Sequence, residues 1–355
     1  MADALTQATD DALDREARLA LLRTMIRIRI LEEGIERHFL AGEIPGFAHL
    51  SIGQEAVAAG ACAALRRDDY IASTHRGHGH TLAKGTAMRA MVAELFGRVD
   101  GVCHGRGGSM HIADFSVGML GANGVVAGGF GLVAGAALSA QLRHTDQVAV
   151  CFFGDGAANR GPFHENLNLA AVWQLPAVFI LENNEYASTT PTAETMRIRD
   201  VSIRAAGYGM ASAIVDGFDA PAVFSVVTEA VGRARNGGGP TFIECKTYRA
   251  RGHYIGDPER YRSKDEVAAR RSDDPIVRLR AQLGAAIADE TFDSFFTQAR
   301  TEFADALDFA RASAAPDPDE AFVGAYTGDR DAASVHGATA AGERARLTAA
   351  AEQKR

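Results

Sequence analysis

Two polar clusters stand where apolar runs end. The run VAVCFF (148–153) leads straight into Gly154-Asp155-Gly156, and the run AVFIL (177–181) into Glu182-Asn183-Asn184. Residues 157–182 separate Gly-Asp-Gly from the Asn-Asn pair, and the segment NLNLAAVWQ within them has helical spacing. Strand, helix and strand in that order make a right-handed crossover, which sets the two strand ends side by side. A carboxylate from Asp155 and an amide oxygen from Asn184 then converge. Oxygen donors with positions to spare suit a hard cation such as Mg²⁺ that also takes phosphate oxygens. Gly154 and Gly156 let the backbone approach a diphosphate, and the start of the next helix offers free N–H groups. Gly-Asp-Gly alone reads equally well as a tight turn with Asp155 capping a helix. The Asn-Asn pair after the next strand turns the reading toward a metal–diphosphate site.

The elements that must hold these residues follow from periodicity. Val148 to Phe153, Ala177 to Leu181, Ala211 to Val215 and Thr241 to Lys246 read as strands. Phe163 to Trp173, Val201 to Ala206 and Ala222 to Arg235 read as helices between them. Apolar strands alternating with amphipathic helices predict an α/β fold, a parallel sheet flanked by helices. Such a sheet binds ligands beyond the carboxyl ends of its strands, where the two clusters lie. Upstream, Ala17 to Leu40 has helical spacing and Gly42 to Gly46 breaks it. Gln54 to Leu65 predicts a helix of small residues, Tyr70 to Ser73 a short strand, His75 to His80 a loop, and Ala87 to Phe96 a helix. After Asp257-Pro258 the chain is charged and helical to about Ala312. Residues 1–16 are expected to form a flexible leader, 17–330 the α/β domain with helical extensions, and 331–355 a disordered tail. Beyond Ala312, only Phe322 to Tyr326 has the character to pack. No repeat is visible.

Composition bounds the function. A net charge of −8 argues against a nucleic-acid binder. The polar, acidic start lacks the features of a signal peptide. Phe115 to Leu142 carries no charge, but its many glycines favour a loop entering a buried helix over a membrane span. Cys62, Cys103, Cys151 and Cys245 form no CxxC pair, and buried reduced thiols in a reducing cytoplasm fit them.

Gly-Asp-Gly followed by Asn-Asn resembles the fingerprint of thiamine diphosphate enzymes. The resemblance runs from about Leu19 to Tyr326 and is to the α subunit of the two-subunit (α2β2) E1 component of 2-oxo acid dehydrogenase complexes. It rests on IGQEAVAAG, STHRGHGH, GRGGSMH, GANGVVAGG, GDGAANRGPFHENLNLA, LENNEYA and TYRARGHYIGDPERYR. GEIPGFAHLSIGQEA and RGHYIGDP look closest to the acetoin dehydrogenase branch. The resemblance implies Asp155, Asn184 and the backbone carbonyl of Tyr186 as metal ligands. It implies His75, Arg76, Gly154, Gly156 and Ala157 along the diphosphate, His75 standing where many relatives have tyrosine. Gly124 and Val126 would support the aminopyrimidine. Arg249 and His253 would lie on a loop closing over the diphosphate, with His253 as proton donor. It further implies a β subunit bearing the glutamate that activates the cofactor, and a lipoyl-bearing E2 that accepts the acyl unit. Arg160, Ala187 and the segment Ser188 to Thr195 depart from the family pattern. Tyr254 stands where some mitochondrial relatives carry a phosphorylated serine, so that switch is not expected.

Other constellations compete. His75, His78 and His80 could be a zinc cluster, but a basic loop facing phosphate fits better. Gly129, Gly131 and Gly135 imitate a dinucleotide-binding loop, which would make the chain an NAD-dependent dehydrogenase. Residues 118–128 do not read as the strand that motif needs, and Asn183-Asn184 would be unexplained. A thiamine diphosphate carboligase pair without E2, and a non-catalytic scaffold, are the remaining alternatives. His104 and His111 read as a polar rim.

Overall fold

The structure, a computed structural model, describes residues 13–318. A compact unit closes at Ser313, and Ala314–Arg355 forms a second unit of which only residues 314–318 are described. Most of the expected leader, the segment Phe322 to Tyr326 and the expected tail lie outside the described residues.

Helix α1 (Arg15–Leu40) begins two residues before the expected start, because Asp14 caps it by accepting from the Ala17 amide at 2.8 Å. It is followed by α2 (Glu55–Ala63), β1 (Tyr70–Ala72), α3 (His78–Lys84) and α4 (Met88–Leu95). Next come β2 (Met119–Gly121), α5 (Gly129–Leu142), β3 (Ala149–Gly154), α6 (Gly161–Val172) and β4 (Ala177–Asn183). A small antiparallel pair, β5 (Tyr186–Ala187) and β6 (Thr190–Pro191), precedes the single turn α7 (Thr192–Thr195). The chain continues through β7 (Ala211–Asp216), α8 (Ala220–Arg235), β8 (Thr241–Lys246), α9 (Lys264–Arg271), α10 (Pro275–Leu283) and α11 (Asp289–Ala312).

Six strands form a parallel sheet in the order β2-β1-β3-β4-β8-β7. Alternation along each strand splits the core in two. Cys151, Phe153, Phe179 and Leu181 point to the side covered by α5 and α6. Val150, Phe152, Val178 and Ile180 point to the side covered by α2 and α8. A third apolar cluster joins α1 to α4, α10 and α11. Cys151 and Cys245 are buried free thiols in β3 and β8, and burial pushes both up.

Four sequence expectations need correction. The loop His75 to His80 ends early, since α3 already starts at His78. Residues 118–128 contain a strand after all: three residues suffice at a sheet edge, where β2 has β1 as its neighbour in the sheet. Helix α5 is not buried all round; Leu132 and Leu142 on its outer face are 43% and 70% exposed. The segment at 201 is a 3-10 helix, Val201–Tyr208. Among the described residues, no helix is long and apolar enough to cross a membrane.

Candidate active site

A cleft of about 380 Å³ opens beyond the carboxyl ends of β1, β3 and β4. Gly154 of β3 pairs with Glu182 of β4, so the chain leaves both strands at one place. Asp155 follows β3 directly, is 1% exposed, and accepts from Thr192 Oγ1 at 2.7 Å through Oδ2. Burial pushes its carboxyl up, while the Thr192 bond opposes that shift. Asn184 Nδ2 donates to Gln54 Oε1 at 3.0 Å, which fixes the amide and leaves its oxygen beside the Tyr186 amide, 3.4 Å away. Strand alternation sends Glu182 and Asn184 into the cleft and turns Asn183 the other way, onto Glu244 Oε1 at 2.7 Å.

Two buried guanidiniums face this corner. Arg76 donates to the carbonyls of Leu50 at 2.5 Å and His253 at 3.1 Å. Arg249 donates to Tyr186 O at 3.3 Å, Ser188 O at 2.7 Å and Tyr261 Oη at 2.9 Å. Neither has a carboxylate partner among the described residues. Burial, with Arg249 beside it, lowers Arg76 to about 9, and burial lowers Arg249 too. Two desolvated cations with no carboxylate bonded to them make a site that favours a polyanion. The donor set of carboxylate, amide oxygen and backbone carbonyl is all oxygen, as Mg²⁺ prefers. The residues therefore fit a metal–diphosphate group.

His75, Gly124, Val126, Gly154, Gly156, Ala157, Tyr186 and His253 all line the same cleft, as do Arg160, Ala187 and Ser188. At Gly156 an added Cβ would come within 3.0 Å of the Ala187 Cβ, so glycine serves close approach there. His253 is carried by a braced loop. Asp257 Oδ2 accepts from the His253 amide and from Tyr261 Oη, each at 2.7 Å.

The expected basic loop facing phosphate is corrected: of its histidines only His75 faces the cleft. His78 is buried between Glu32, 3.0 Å from Nδ1, and Ser109, 2.8 Å from Nε2. His80 lies beside Ser73 Oγ at 2.9 Å and stacks on Phe152. The start of α3 turned both inward. His104 contacts Val99 O at 3.2 Å, and His111 approaches Gly124.

Two residues escaped sequence reading. Glu182 could have been found by alternation from Asn184. His49 stands in the stretch GEIPGFAHLSIGQEA, but nothing local says that it meets His75 and His253, which are distant from it along the chain. Its ring centroid is 4.5 Å from that of His75 and 5.0 Å from that of His253. Its Nδ1 is buried without a hydrogen-bond partner. Burial, reinforced by Arg76, holds His49 at about 3, His75 at about 2 and His253 at about 4. All three imidazoles are thus neutral near pH 7.

An α/β sheet with this corner defines a cofactor-dependent enzyme subunit. The family model for the dehydrogenase E1 component matches residues 23–319, and the chain belongs to that family, whose members depend on thiamine diphosphate. The alpha subunit of acetoin:2,6-dichlorophenolindophenol oxidoreductase from Bacillus subtilis is 53% identical over 255 residues, covering 72% of this chain and 77% of the relative. The same subunit from Cupriavidus necator is 43% identical over 317 residues, covering 88% and 95%. The pyruvate dehydrogenase E1 component subunit alpha of Rhizobium meliloti is 41% identical over 312 residues, covering 87% and 89%. The NAD-dependent dehydrogenase reading finds no support in these matches.

Proposed function

We propose that this chain is the α subunit of a cytoplasmic α2β2 E1 enzyme. It would bind thiamine diphosphate through Mg²⁺, cleave acetoin or a 2-oxo acid such as pyruvate, and pass the two-carbon unit to a lipoyl-bearing E2. The observation that carries this reading is the gathering of Asp155, Asn184 and Tyr186 in one cleft beside two guanidiniums to which no carboxylate of the described residues is bonded. Asp155, Asn184 and the Tyr186 carbonyl would hold Mg²⁺. Arg76 and Arg249, with the backbone at Gly154, Gly156 and Ala157, would hold the diphosphate. Gly124 and Val126 would support the aminopyrimidine. Thiamine diphosphate, when bound, supplies the electron sink.

The rest belongs to this chain. His253, on its Asp257-braced loop, reaches the cleft and would deliver a proton to the substrate oxygen. Burial chiefly, and then Arg76 and Arg249, hold His253 low; a diphosphate held by the two guanidiniums would offset the second of these causes. The family's activating glutamate would come from the β subunit.

Titration calorimetry of thiamine diphosphate, with and without Mg²⁺ and with and without the β chain, tests the reading. Tight, Mg²⁺-dependent binding by the pair is expected, and Asp155→Ala should abolish it. No binding under any pairing, or binding of NAD instead, would overturn the proposal.

A further inference from the structure

The cleft gathers nitrogen donors as well as the oxygen donors of the corner. His49, His75 and His253 come from three separate segments, and each offers a ring nitrogen within 4.8 Å of those of the other two. Their rings meet edge to face, with centroids 4.5, 5.0 and 5.4 Å apart. Among the described residues no other three histidine, cysteine or acidic side chains are so gathered. The zinc cluster weighed from the sequence shared only His75 with this trio. Its other members, His78 and His80, are turned away against Glu32, Ser109 and Ser73.

One guanidinium ties the three segments together. Arg76 follows His75 in the chain, donates to the carbonyl of Leu50, the residue after His49, and donates again to the carbonyl of His253. The Ile255 amide adds a bond to Ala48 O at 3.0 Å, on the other side of His49. The backbones that carry the rings are therefore fixed before a ligand arrives, and only the rings have to turn. The ring nitrogens themselves are little engaged. Those of His49 and His75 bond to no described residue, and His253 Nδ1 has only Arg249 Nη1, 3.5 Å away. Burial keeps all three imidazoles neutral near pH 7, so each has a lone pair to give without first losing a proton.

We propose that His49, His75 and His253 form a second metal site in the cleft, which takes up Zn²⁺ reversibly and stops turnover while it is occupied. Three imidazoles with a fourth position open toward a cleft are a donor set that zinc accepts. Zinc holds nitrogen at about 2.0–2.1 Å, so the three ring nitrogens must draw closer than they stand here, a change that side-chain rotation supplies. Mg²⁺ prefers oxygen and does not compete for them. The cleft thus sorts two ions by donor type, Mg²⁺ to the corner of Asp155 and Asn184 and Zn²⁺ to the imidazoles. Two features hold the zinc affinity down. Arg76 and Arg249 oppose a cation, and no carboxylate or carbonyl is bonded to any of the three rings to strengthen it as a ligand. A bound diphosphate offsets the first. Such a site exchanges its ion and does not keep it. The block on turnover rests on the α-subunit reading above, because zinc would engage the lone pair of His253, the proposed proton donor. The metal site itself does not rest on that reading.

The test uses the α2β2 complex at saturating thiamine diphosphate and Mg²⁺, with Co²⁺ as the first probe. Co²⁺ on three imidazoles in a tetrahedral site absorbs strongly in the visible, whereas Co²⁺ in an octahedral oxygen site absorbs weakly. The wild type should show the strong band, and Zn²⁺ should erase it in proportion to its own binding. His49→Ala, His75→Phe and His253→Ala should each weaken Co²⁺ binding about tenfold or more, and Asp155→Ala should keep the band. X-ray absorption by the zinc-loaded wild type needs no variant to fold, and should show three imidazole nitrogens at about 2.0–2.1 Å. No strong band, a band that keeps wild-type affinity in any of the histidine variants, or zinc bound mainly through oxygen would overturn the proposal. Turnover of acetoin or pyruvate should fall as zinc binds and return when a chelator removes it; full turnover with the site occupied would overturn the block. A complex that shows the band but turns over neither substrate would remove the α-subunit reading and leave the metal site standing.

Discussion

Thr192 Oγ1 donates a 2.7 Å hydrogen bond to Asp155 Oδ2, tying the segment at the cleft mouth to the carboxylate proposed to hold the metal. The segment from Ser188 to Thr195 departs from the family pattern, and here it has a structural task. It supplies the second strand of a small ribbon and one helical turn, and its hydroxyl favours the charged form of a carboxyl that burial pushes up. Thr192→Val keeps the volume and removes the bond. Hydrogen bonds to charged groups contribute about 1.5–3 kcal/mol, so Mg²⁺-dependent cofactor affinity should weaken about tenfold or more by calorimetry. Unchanged affinity would mean that the metal replaces the hydroxyl outright.

The Gly-rich stretch after α4 is held by one buried side chain. Glu94 accepts from the amides of Cys103 and Gly105 through Oε2, and of Gly107 and Gly108 through Oε1, at 2.7–3.1 Å. Glu94→Ala leaves four amides without that acceptor, at about 1–3 kcal/mol for each that stays buried. Limited proteolysis should then cut within residues 97–108, with Glu94→Gln intermediate. A protease-resistant Glu94→Ala chain would show that water or neighbouring groups replace the carboxylate.

Acid stability should depend on Glu32. Burial alone would raise its carboxyl, but the facing His78 and two bonds from Ser51 outweigh it and hold it below the ordinary 4.5. A carboxyl depressed in the folded chain contributes stability that is fully present above its unfolded value and is lost as pH falls through the folded one. Denaturant unfolding from pH 7 down should therefore show a decline beginning near pH 4.5. Glu32→Gln should be less stable at pH 7 and show a shallower decline. An identical acid limb in the variant would place the sensitivity elsewhere.

Helices α2 and α8 meet at Gly60. A Cβ there would lie 2.6 Å from the Ala220 carbonyl oxygen and 2.9 Å from the Val223 Cβ. Gly60→Ala forces the helices apart, and overpacking of this kind costs about 1–3 kcal/mol. The denaturation midpoint should drop with no change in slope. A midpoint at or above wild type would mean that this contact yields easily.

The sheet and the corner that joins Asp155 to Asn184 were legible in the sequence because both are local. Apolar runs ending in Gly-Asp-Gly and Asn-Asn name two strands and one crossover, and crossover handedness places their ends together. The ranges expected for β3, β4, β7 and β8 therefore differ from those observed by at most two residues at either end. The third strand of that neighbourhood was harder to see. β2 is three residues long, and nothing in a Gly/Asn-rich run reveals that β1 will pair with it.

What only the tertiary structure decided is which side chains from distant segments share a space. His78 and His80 read as neighbours of phosphate, yet the turn into α3 buries them against Glu32, Ser109 and Ser73. Nothing around His49 says which residues it meets, yet the fold sets it within ring contact of His75 and His253. Periodicity records how each segment meets the core. Convergence of loops depends on how the elements pack, and one sequence contains no local trace of it.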